Sequence, residues 1–346
     1  MTASHLLAWS LAAAWQAGLA GLVLLALAAR CHSHGVRRVL LGGGTIKFLV
    51  PVSLTAPFAA LNLFENVATP PVPSAAPGLA VVAAVLLGIW AGGAALMLLR
   101  LSISSLLLRG EMRDAERVEG GPLLAEARAA ADRIGLKRLP EIYLVGDRAS
   151  GPRACGIFRP AVLLPAGLGE WVSGPALQAV ITHELAHHRR RDLLLLATAD
   201  LVVAIWWFHP VAWMLQARLR HAVEDGCDEL VLDHGTAVTP EQYCTALLEV
   251  ARFCVGGGSP AVAAGFAAHA LRRRLRRALS APKASGGRLG LGFALLVVLA
   301  LLPGAPRGIV AGEREVVREV RVVVRIPGVE VVRAHSSGSE QRKVRR

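Results

Sequence analysis

The residues best able to do chemistry lie in residues 180–192, Val-Ile-Thr-His-Glu-Leu-Ala-His-His-Arg-Arg-Arg-Asp. This stretch contains His-Glu-x-x-His, a spacing typical of zinc sites carried on a helix. Because a helix turns about 100° per residue, His183 and His187 lie one turn apart on one face and can bind the same ion. We predict that both are zinc ligands. The motif alone leaves one alternative open, a surface helix with unrelated histidines.

Glu184 directly follows the first of these histidines, so it lies beside the ion without pointing at it. Zinc lowers the pKa of a bound water to about 7, and a carboxylate can accept its proton as the water attacks a peptide carbonyl. We therefore predict that Glu184 is the catalytic base and not a ligand.

Zinc held by two histidines needs a third protein ligand and keeps its fourth position for water. The candidate is Glu224, within residues 223–229, Val-Glu-Asp-Gly-Cys-Asp-Glu. Asp228 lies four residues further on the same helix face, where it can accept a hydrogen bond from the outer nitrogen of a ligand histidine. Asp225 and Glu229 point elsewhere and are weaker candidates. A solvated acidic helix face is the alternative.

The apolar segment 193–208 separates the two motifs. A single membrane crossing here would place Glu224 on the opposite side of the bilayer from the histidines, and the site could not form. Sixteen residues are also few for a span, and Asp200 interrupts the run. We predict a helix that is buried in the domain or lies against the inner leaflet. Trp206, Trp207 and Trp213 suit an interfacial position, although core packing explains them equally well.

Three other histidines are near enough in sequence to be considered. His188 points about 100° away from its neighbour and should not bind the ion. For His209 and His221 we favour capping or packing roles.

Hydrophobic residues make up 54% of the 346 residues, which indicates several membrane helices. The net charge of +13 comes from arginines that flank the apolar segments, where they set membrane orientation. Aromatic residues are sparse and do not alternate with basic ones, so we expect no direct nucleic-acid binding. The five cysteines show no Cys-x-x-Cys spacing, which argues against a disulfide framework.

The fold class we predict is mainly α, a multi-span helical membrane protein with a cytoplasmic α+β zinc peptidase domain. Basic residues follow the first and third spans, which places the N-terminus outside and the zinc domain in the cytoplasm. The predicted parts are a membrane region 1–103 with spans 6–29, 39–63 and 78–99, a zinc domain 104–287, a fourth span 288–303, and an outer tail 304–346 with a β-hairpin.

Within the zinc domain, the spacing of residues 122–135 predicts a helix. Apolar runs bounded by glycine and proline predict strands at 141–145, 155–158 and 161–164. An extended edge beside the zinc helix could bind a peptide by strand addition, or the strand could merely pack the helix. The basic run 272–277 precedes the fourth span and suits the inner leaflet.

Several spaced motifs together resemble the BlaR/MecR-type membrane zinc metallopeptidases. They are the His183–Asp192 stretch, Phe208-His-Pro, Glu224-x-x-Cys-Asp228 and Gly156-Ile-Phe-Arg-Pro-Ala-Val-Leu-Leu-Pro, in an order of three spans, a zinc domain and a fourth span. The resemblance implies a gluzincin, with zinc on His183, His187 and Glu224. The chain differs from this family in its predicted outer tail, whose 43 residues are far too few for a penicillin-binding sensor domain. The input signal therefore stays open.

The function we predict is a regulatory membrane endopeptidase that uses Zn²⁺ to cleave a cytoplasmic protein, such as a winged-helix repressor, or itself. A quality-control or processing metalloprotease is one alternative, and a non-catalytic zinc-containing scaffold is another. The expected location is the inner membrane, in contact with its lipids, and the sequence leaves a homodimer open.

Overall fold

The computed structural model is mainly helical. It divides into two compact units, 1–305 and 306–346, and each is considered by itself. The residues that the structure describes are 3–49, 77–146, 151–172, 174–235, 238–255, 261–280, five positions between 290 and 298, 322–326, 329–336 and 339–345.

The chain begins with three helices, α1 (Ala3–Arg30), α2 (His34–Lys47) and α3 (Pro77–Asp114). Among the described residues, Ala80–Asp114 of α3 is the helix that is long and apolar enough to cross a membrane. The apolar part of α1, Ala14–Arg30, is shorter.

The helix limits differ from the predicted spans. Helix α2 begins five residues before the predicted start at 39, so Arg37 and Arg38 belong to the helix. Residues 50–63 of that predicted span lie outside the described residues. Helix α3 continues without a break past residue 103, where we placed the start of the zinc domain. The fourth span also lies mostly outside the described residues.

The segment after the zinc motif folds as an antiparallel hairpin of α7 (Asp192–Ile205) and α8 (Pro210–Leu230). The hairpin packs against α1 and α2 in one apolar core that includes Leu24, Leu40 and Leu215. Because α8 runs back along α7, Glu224 returns to the end of the hairpin where the zinc motif lies. This segment is therefore not a single crossing that separates the ligands.

Hydrogen bonds of tryptophan side chains connect the tip of this hairpin to α3 and to the end of α2. The indole nitrogen of Trp206 donates to the backbone oxygen of Phe48 after α2 (3.0 Å), and that of Trp207 donates to the backbone oxygen of Trp90 in α3 (3.2 Å). The Trp90 nitrogen in turn donates to the backbone oxygen of Ile205 (2.8 Å). Core packing, the second of the two interpretations, thus explains Trp206, which is buried.

A four-stranded sheet lies beside the zinc motif. Its order is β1-β2-β4-β3, with β2 parallel to β4 and the outer strands antiparallel to their neighbours. All five residues of β4 are buried, as its continuous apolar run indicates. The strands are β1 (Glu116–Arg117), β2 (Glu141–Val145), β3 (Arg153–Cys155) and β4 (Ala161–Pro165).

The predicted strand at 155–158 is wrong, because β3 ends at Cys155. Gly156 has φ of +79°, and a Cβ there would collide with the backbone oxygen of Arg159. The chain therefore reverses in a turn that glycine alone permits, and Phe158 is left exposed.

Further helices surround the zinc motif and complete the domain. Helix α6 carries the motif and packs against α4, which lies within the predicted helix 122–135, and against α9. Helix α10 packs against α8 and α9. These helices are α4 (Pro122–Arg133), α5 (Leu168–Trp171), α6 (Gly174–Arg190), α9 (Pro240–Val255) and α10 (Ala261–Ser280).

The C-terminal unit is an antiparallel sheet of three strands, β5 (Val322–Ile326), β6 (Val329–Ser336) and β7 (Ser339–Arg345). Strands β5 and β6 form the hairpin that the sequence pattern indicates, with Ile326 opposite Val329. Strand β7 was not foreseen, because its sequence Ser-Glu-Gln-Arg-Lys-Val-Arg is mostly polar and shows no apolar alternation.

Candidate metal centre

Helix α6 passes through the middle of the domain. The nine consecutive residues 179–187 are all buried, including His183, Glu184 and His187. A helix that is buried on every side is in contact with other elements all round, and α4, α7, α8, α9 and β3 supply those contacts here. The zinc motif is therefore held rigidly and is not part of a solvated surface helix.

The structure brings the three predicted ligands together. Ligand atoms of His183, His187 and Glu224 lie within 4.8 Å of one another. The Nε2 atom of His183 is 3.4 Å from Oε2 of Glu224, and Nε2 of His187 is 3.8 Å from Oε1. Two imidazole nitrogens and one carboxylate thus face a common point, which is the donor set that a catalytic zinc ion prefers.

The outer nitrogens of both imidazoles face carboxylates. Nδ1 of His183 lies 3.1 Å from Oδ1 of Asp228, and Nδ1 of His187 lies 3.6 Å from Oδ2 of Asp192. A carboxylate on Nδ1 keeps the proton on that atom and leaves Nε2 free to bind a metal. The arrangement of these side chains therefore fits zinc, with Nε2 of each histidine as the ligand atom.

Asp228 is itself held by two residues from other helices. The hydroxyl of Tyr243 in α9 donates to its Oδ1 (2.7 Å), and Arg274 in α10 donates from Nε to Oδ2 (3.1 Å) and from Nη2 to Oδ1 (2.6 Å). This bidentate pair fixes the carboxylate plane. Arg274 also keeps the pKa of Asp228 well below its usual value, although burial acts to raise it.

Asp192, which is fully buried, is held in a similar way from the other side. Its Oδ1 lies 2.8 Å from Nε of Arg38 in α2, and its Oδ2 accepts a hydrogen bond from Nε of Arg190 (3.1 Å). Arg190 also donates to the backbone oxygen of Gly226 (3.2 Å), and a Cβ at Gly226 would collide with its guanidinium group. The outer nitrogen of each predicted ligand histidine thus faces a carboxylate, and arginine side chains hold that carboxylate in place.

A second group of donors, His187, Asp192 and Cys227, also lies close together. Burial, and then the charge of Asp192, raise the pKa of the Cys227 thiol well above its ordinary value, so the thiol stays protonated. It lies 3.4 Å from Oδ2 of Asp192, to which it donates. In the structure these three side chains form a hydrogen-bond network.

The charges of the side chains at the centre influence one another strongly. Burial acts to raise the pKa of Glu224, but a hydrogen bond with His183 and the charges of His183, Arg274 and His187 lower it to about 2. Burial and Arg274 act to lower the pKa of His183, whereas its hydrogen bonds to Asp228 and Glu224 raise it to about 9. A protonated imidazole and the neighbouring carboxylates thus stabilise each other's charges.

Glu184 lies at a cavity of about 100 Å³ that has room for a few water molecules or a small side chain. His183, Tyr243 and Arg274 line the same cavity, and Pro152 at the start of β3 closes one side. The predicted base is therefore next to the ligands and beside the edge strand of the sheet.

The remaining candidate histidines, and Asp225, contact groups other than the three predicted ligands. Nε2 of His188 donates to the backbone oxygen of Ala161 in β4 (2.9 Å). His209 packs edge-on against Phe48 at the hairpin tip. His221 and Asp225 line a separate cavity, and Asp225 is paired with arginines.

The structure adds to the interpretation of the basic run 272–277. Arg273 and Arg277 pair with Asp225, and Arg274 pairs with Asp228, so three of these side chains contact acids of α8. Arg272 and Arg276 are exposed. The helical spacing of the run was the available signal for these ion pairs. Residues 273 and 277 share one face of a helix, and that face meets Asp225 of α8.

Sequence reasoning also missed Tyr243, Arg274 and Arg38 as partners of the centre. Tyr243 is fully buried, and such a tyrosine needs a partner for its hydroxyl. The sequence around Tyr243 does not indicate which residue is the partner of its hydroxyl. Asp192 contacts the neighbouring Arg190, and it also faces His187, a contact that the sequence does not predict.

We expect Arg38→Gln to weaken zinc binding about tenfold, the lower end of the effect typical of changes behind a metal ligand. The change removes one of two guanidinium groups that hold Asp192, so the carboxylate orients His187 less well. Competition with a chromophoric chelator measures the affinity, and Arg38→Lys should recover part of it. Arg37→Gln is the matched control, since Arg37 pairs with Asp225 and not with Asp192. Equal losses in both glutamine variants would contradict a specific role for Arg38.

Comparison with known proteins gives consistent matches. A family model described as BlaR1 peptidase M56 matches residues 48–277. The regulatory protein BlaR1 of Bacillus licheniformis is 27% identical over 144 residues, which are 42% of this chain and 24% of that protein. The methicillin resistance mecR1 proteins of Staphylococcus aureus (strain Mu50) and Staphylococcus epidermidis are 26% identical over 81 residues, 23% of this chain and 14% of theirs. The alignments thus span a minor share of these relatives' length.

Proposed function

This chain belongs to the BlaR1 peptidase M56 family, and we propose from that premise that it is an integral membrane zinc endopeptidase with a regulatory role. The observation that carries the proposal is that His183, His187 and Glu224 converge beside Glu184. The histidines lie on α6, which precedes the apolar hairpin, and Glu224 lies on α8, the second helix of that hairpin. A solvated helix with unrelated histidines would not keep both imidazole Nε2 atoms directed at one carboxylate.

In the proposed mechanism, His183, His187 and Glu224 hold the ion. Zinc, when bound there, supplies Lewis acidity toward a peptide carbonyl and lowers the pKa of water. Glu184 takes the proton of the attacking water and passes it to the leaving amine. Asp228 and Asp192 keep the imidazoles in one tautomer and orientation.

We propose that the peptide lies along β3. This short strand pairs with β4 on one side, and no described strand pairs with its other edge. Pro152 at its start lines the cavity that contains Glu184. Strand addition at this edge would bring a peptide carbonyl next to the base while main-chain hydrogen bonds hold the substrate.

The proposed signal path uses the long helix α3. Near its C-terminal end, Glu111 pairs with Arg153 of β3, and Met112 contacts Cys155 of the same strand. A displacement of α3 in the membrane would therefore be transmitted to the strand that we propose binds substrate. The substrate class that suits a regulatory protease is a cytoplasmic protein, with a transcriptional repressor as the first candidate and the chain itself as the second.

The test uses the full chain in liposomes, incubated with a cytosolic extract from its own source. New protein N-termini are labelled and identified by mass spectrometry, with empty liposomes as the control. We expect N-termini that appear with zinc, disappear after chelation and return when zinc is added back. Identical N-termini in all four samples would contradict the proposal and favour a non-catalytic scaffold.

A further inference from the structure

A second and larger cavity, of about 340 Å³, lies where α1, α2, α8 and α10 meet. It is separate from the cavity at Glu184, and none of the predicted zinc ligands lines it. Its polar lining consists of Arg37, Arg218, Arg273, Arg277, His221 and Asp225.

The charges in this cavity are strongly unbalanced. Arg37, Arg273 and Arg277 all pair with the buried carboxylate of Asp225, and Arg218 is a fourth cation in the lining. Asp225 carries one negative charge, and Asp228 and Glu224 also act on Arg273, so positive charge remains in excess in the lining. Arg218 is exposed to solvent, whereas Arg37, Arg273 and Arg277 are partly buried, where charges without close counter-charges are costly.

Donor groups are in excess as well. Each guanidinium carries five N–H donors, and Nε of Arg273 is buried without a hydrogen-bond partner among the described residues. The pKa of His221 is lowered to about 4, first by burial and then by Arg273, Arg218 and Arg277, so His221 is neutral and the surrounding field is positive. An anion with several acceptor oxygens would satisfy these donors.

The rest of the cavity wall is apolar. It includes Leu25, Ala28 and Ala29 near the C-terminal end of α1, and Leu41 of α2. Helix α1 ends directly after this wall at Arg30. A cavity lined by both arginines and apolar side chains suits a ligand with an anionic head and a hydrocarbon tail.

We propose that this cavity binds a phosphate group through Arg37, Arg273 and Arg277, with the headgroup of an anionic phospholipid as its source. Planar guanidinium groups bind phosphate through paired hydrogen bonds, which favours phosphate over a simple halide. Free phosphate is the other source with the same chemistry, and the volume accommodates either. Asp225 and Arg273, which line the cavity, are the sequence neighbours of Glu224 in α8 and of Arg274 in α10. Binding at this site requires neither zinc nor proteolysis.

The experiment measures the thermal unfolding of the full chain in detergent micelles. Phosphatidylglycerol, phosphatidylcholine with the same acyl chains, and inorganic phosphate at constant ionic strength are titrated separately. We expect phosphatidylglycerol to raise the melting temperature saturably and phosphatidylcholine to leave it unchanged. Saturable stabilisation by inorganic phosphate alone, with no additional effect of the lipid, would support the site with free phosphate as its source.

Two double variants with equal charge change test the location. Arg37→Gln/Arg277→Gln should raise the phosphatidylglycerol concentration for half-maximal stabilisation about tenfold or more. Arg272→Gln/Arg276→Gln, whose parent residues are exposed on the same helix α10, should leave it near the wild-type value. Asp225 keeps Arg273 as a partner in the first variant, which protects the fold.

Equal losses in both double variants would overturn the proposal, because attraction to the general positive charge would then explain binding. Equal stabilisation of the wild type by both lipids, with no effect of inorganic phosphate, would overturn it too. If the first double variant unfolds, Arg37→Lys/Arg277→Lys replaces it, since lysine keeps the charge and loses the paired hydrogen bonds. In that variant, unchanged phosphatidylglycerol binding would rule out the guanidinium geometry proposed here.

Discussion

We expect Glu184→Gln to slow peptide hydrolysis by about 10²–10⁴-fold, the range typical of losing a positioned general base. Glutamine has nearly the same shape, so the buried helix α6 should keep its packing and zinc should still bind. An uncharged amide cannot take a proton from the attacking water, so the loss should appear in the chemical step. The measurement compares zinc content, melting temperature and the N-termini released in the liposome assay.

Glu241→Gln is a suitable control for this change. Glu241 lies exposed at the start of α9 and outside the cavity that contains Glu184. The control should cleave at the wild-type rate. A Glu184→Gln protein that still releases the same N-termini would show that another group is the base, or that cleavage comes from a contaminating protease.

Zinc binding should respond most strongly to Glu224. We expect Glu224→Ala to lower zinc affinity by more than about 100-fold, because it removes a direct ligand. Asp228→Asn, which changes the residue behind a ligand, should cost about 10- to 100-fold. Chelator competition gives both affinities, and circular dichroism of the metal-free proteins checks that the helices remain.

Glu229→Ala is the matched control for Glu224→Ala. It removes the same group from the same helix α8, at a position about 140° further round from Glu224. We expect an affinity near that of the wild type. An effect of Asp228→Asn larger than that of Glu224→Ala would reverse the assignment and make Asp228 the third ligand.

The two arginines behind the centre connect it to distant parts of the chain. Arg38 belongs to α2, and Arg274 belongs to α10, which precedes the predicted fourth span. Each contacts a carboxylate that faces one ligand histidine. In the function proposed above, a shift of either helix would change the orientation of an imidazole. This is a route by which membrane helices could regulate a cytoplasmic peptidase.

Short-range spacing in the sequence was sufficient to predict the core of the candidate centre. Residues four apart on a helix share a face whatever the rest of the fold, so His183 with His187, and Glu224 with Asp228, could be paired from spacing alone. The need for both pairs on one side also correctly excluded a single crossing by the segment 193–208. The structure places these residues together, while their roles stay predictions that the variants test.

Only the tertiary structure decided which distant side chains complete the centre. Tyr243 and Arg274 lie 60 and 91 residues from His183 in the sequence, and Arg38 belongs to the distant α2. Their partners therefore depend on how α2, α9 and α10 pack. The pairing of three arginines of the run 272–277 with acids of α8 was also not predictable, because a sequence does not show which face of a basic helix meets buried acids. Local periodicity determines which side chains share a face, whereas long-range packing determines what that face contacts.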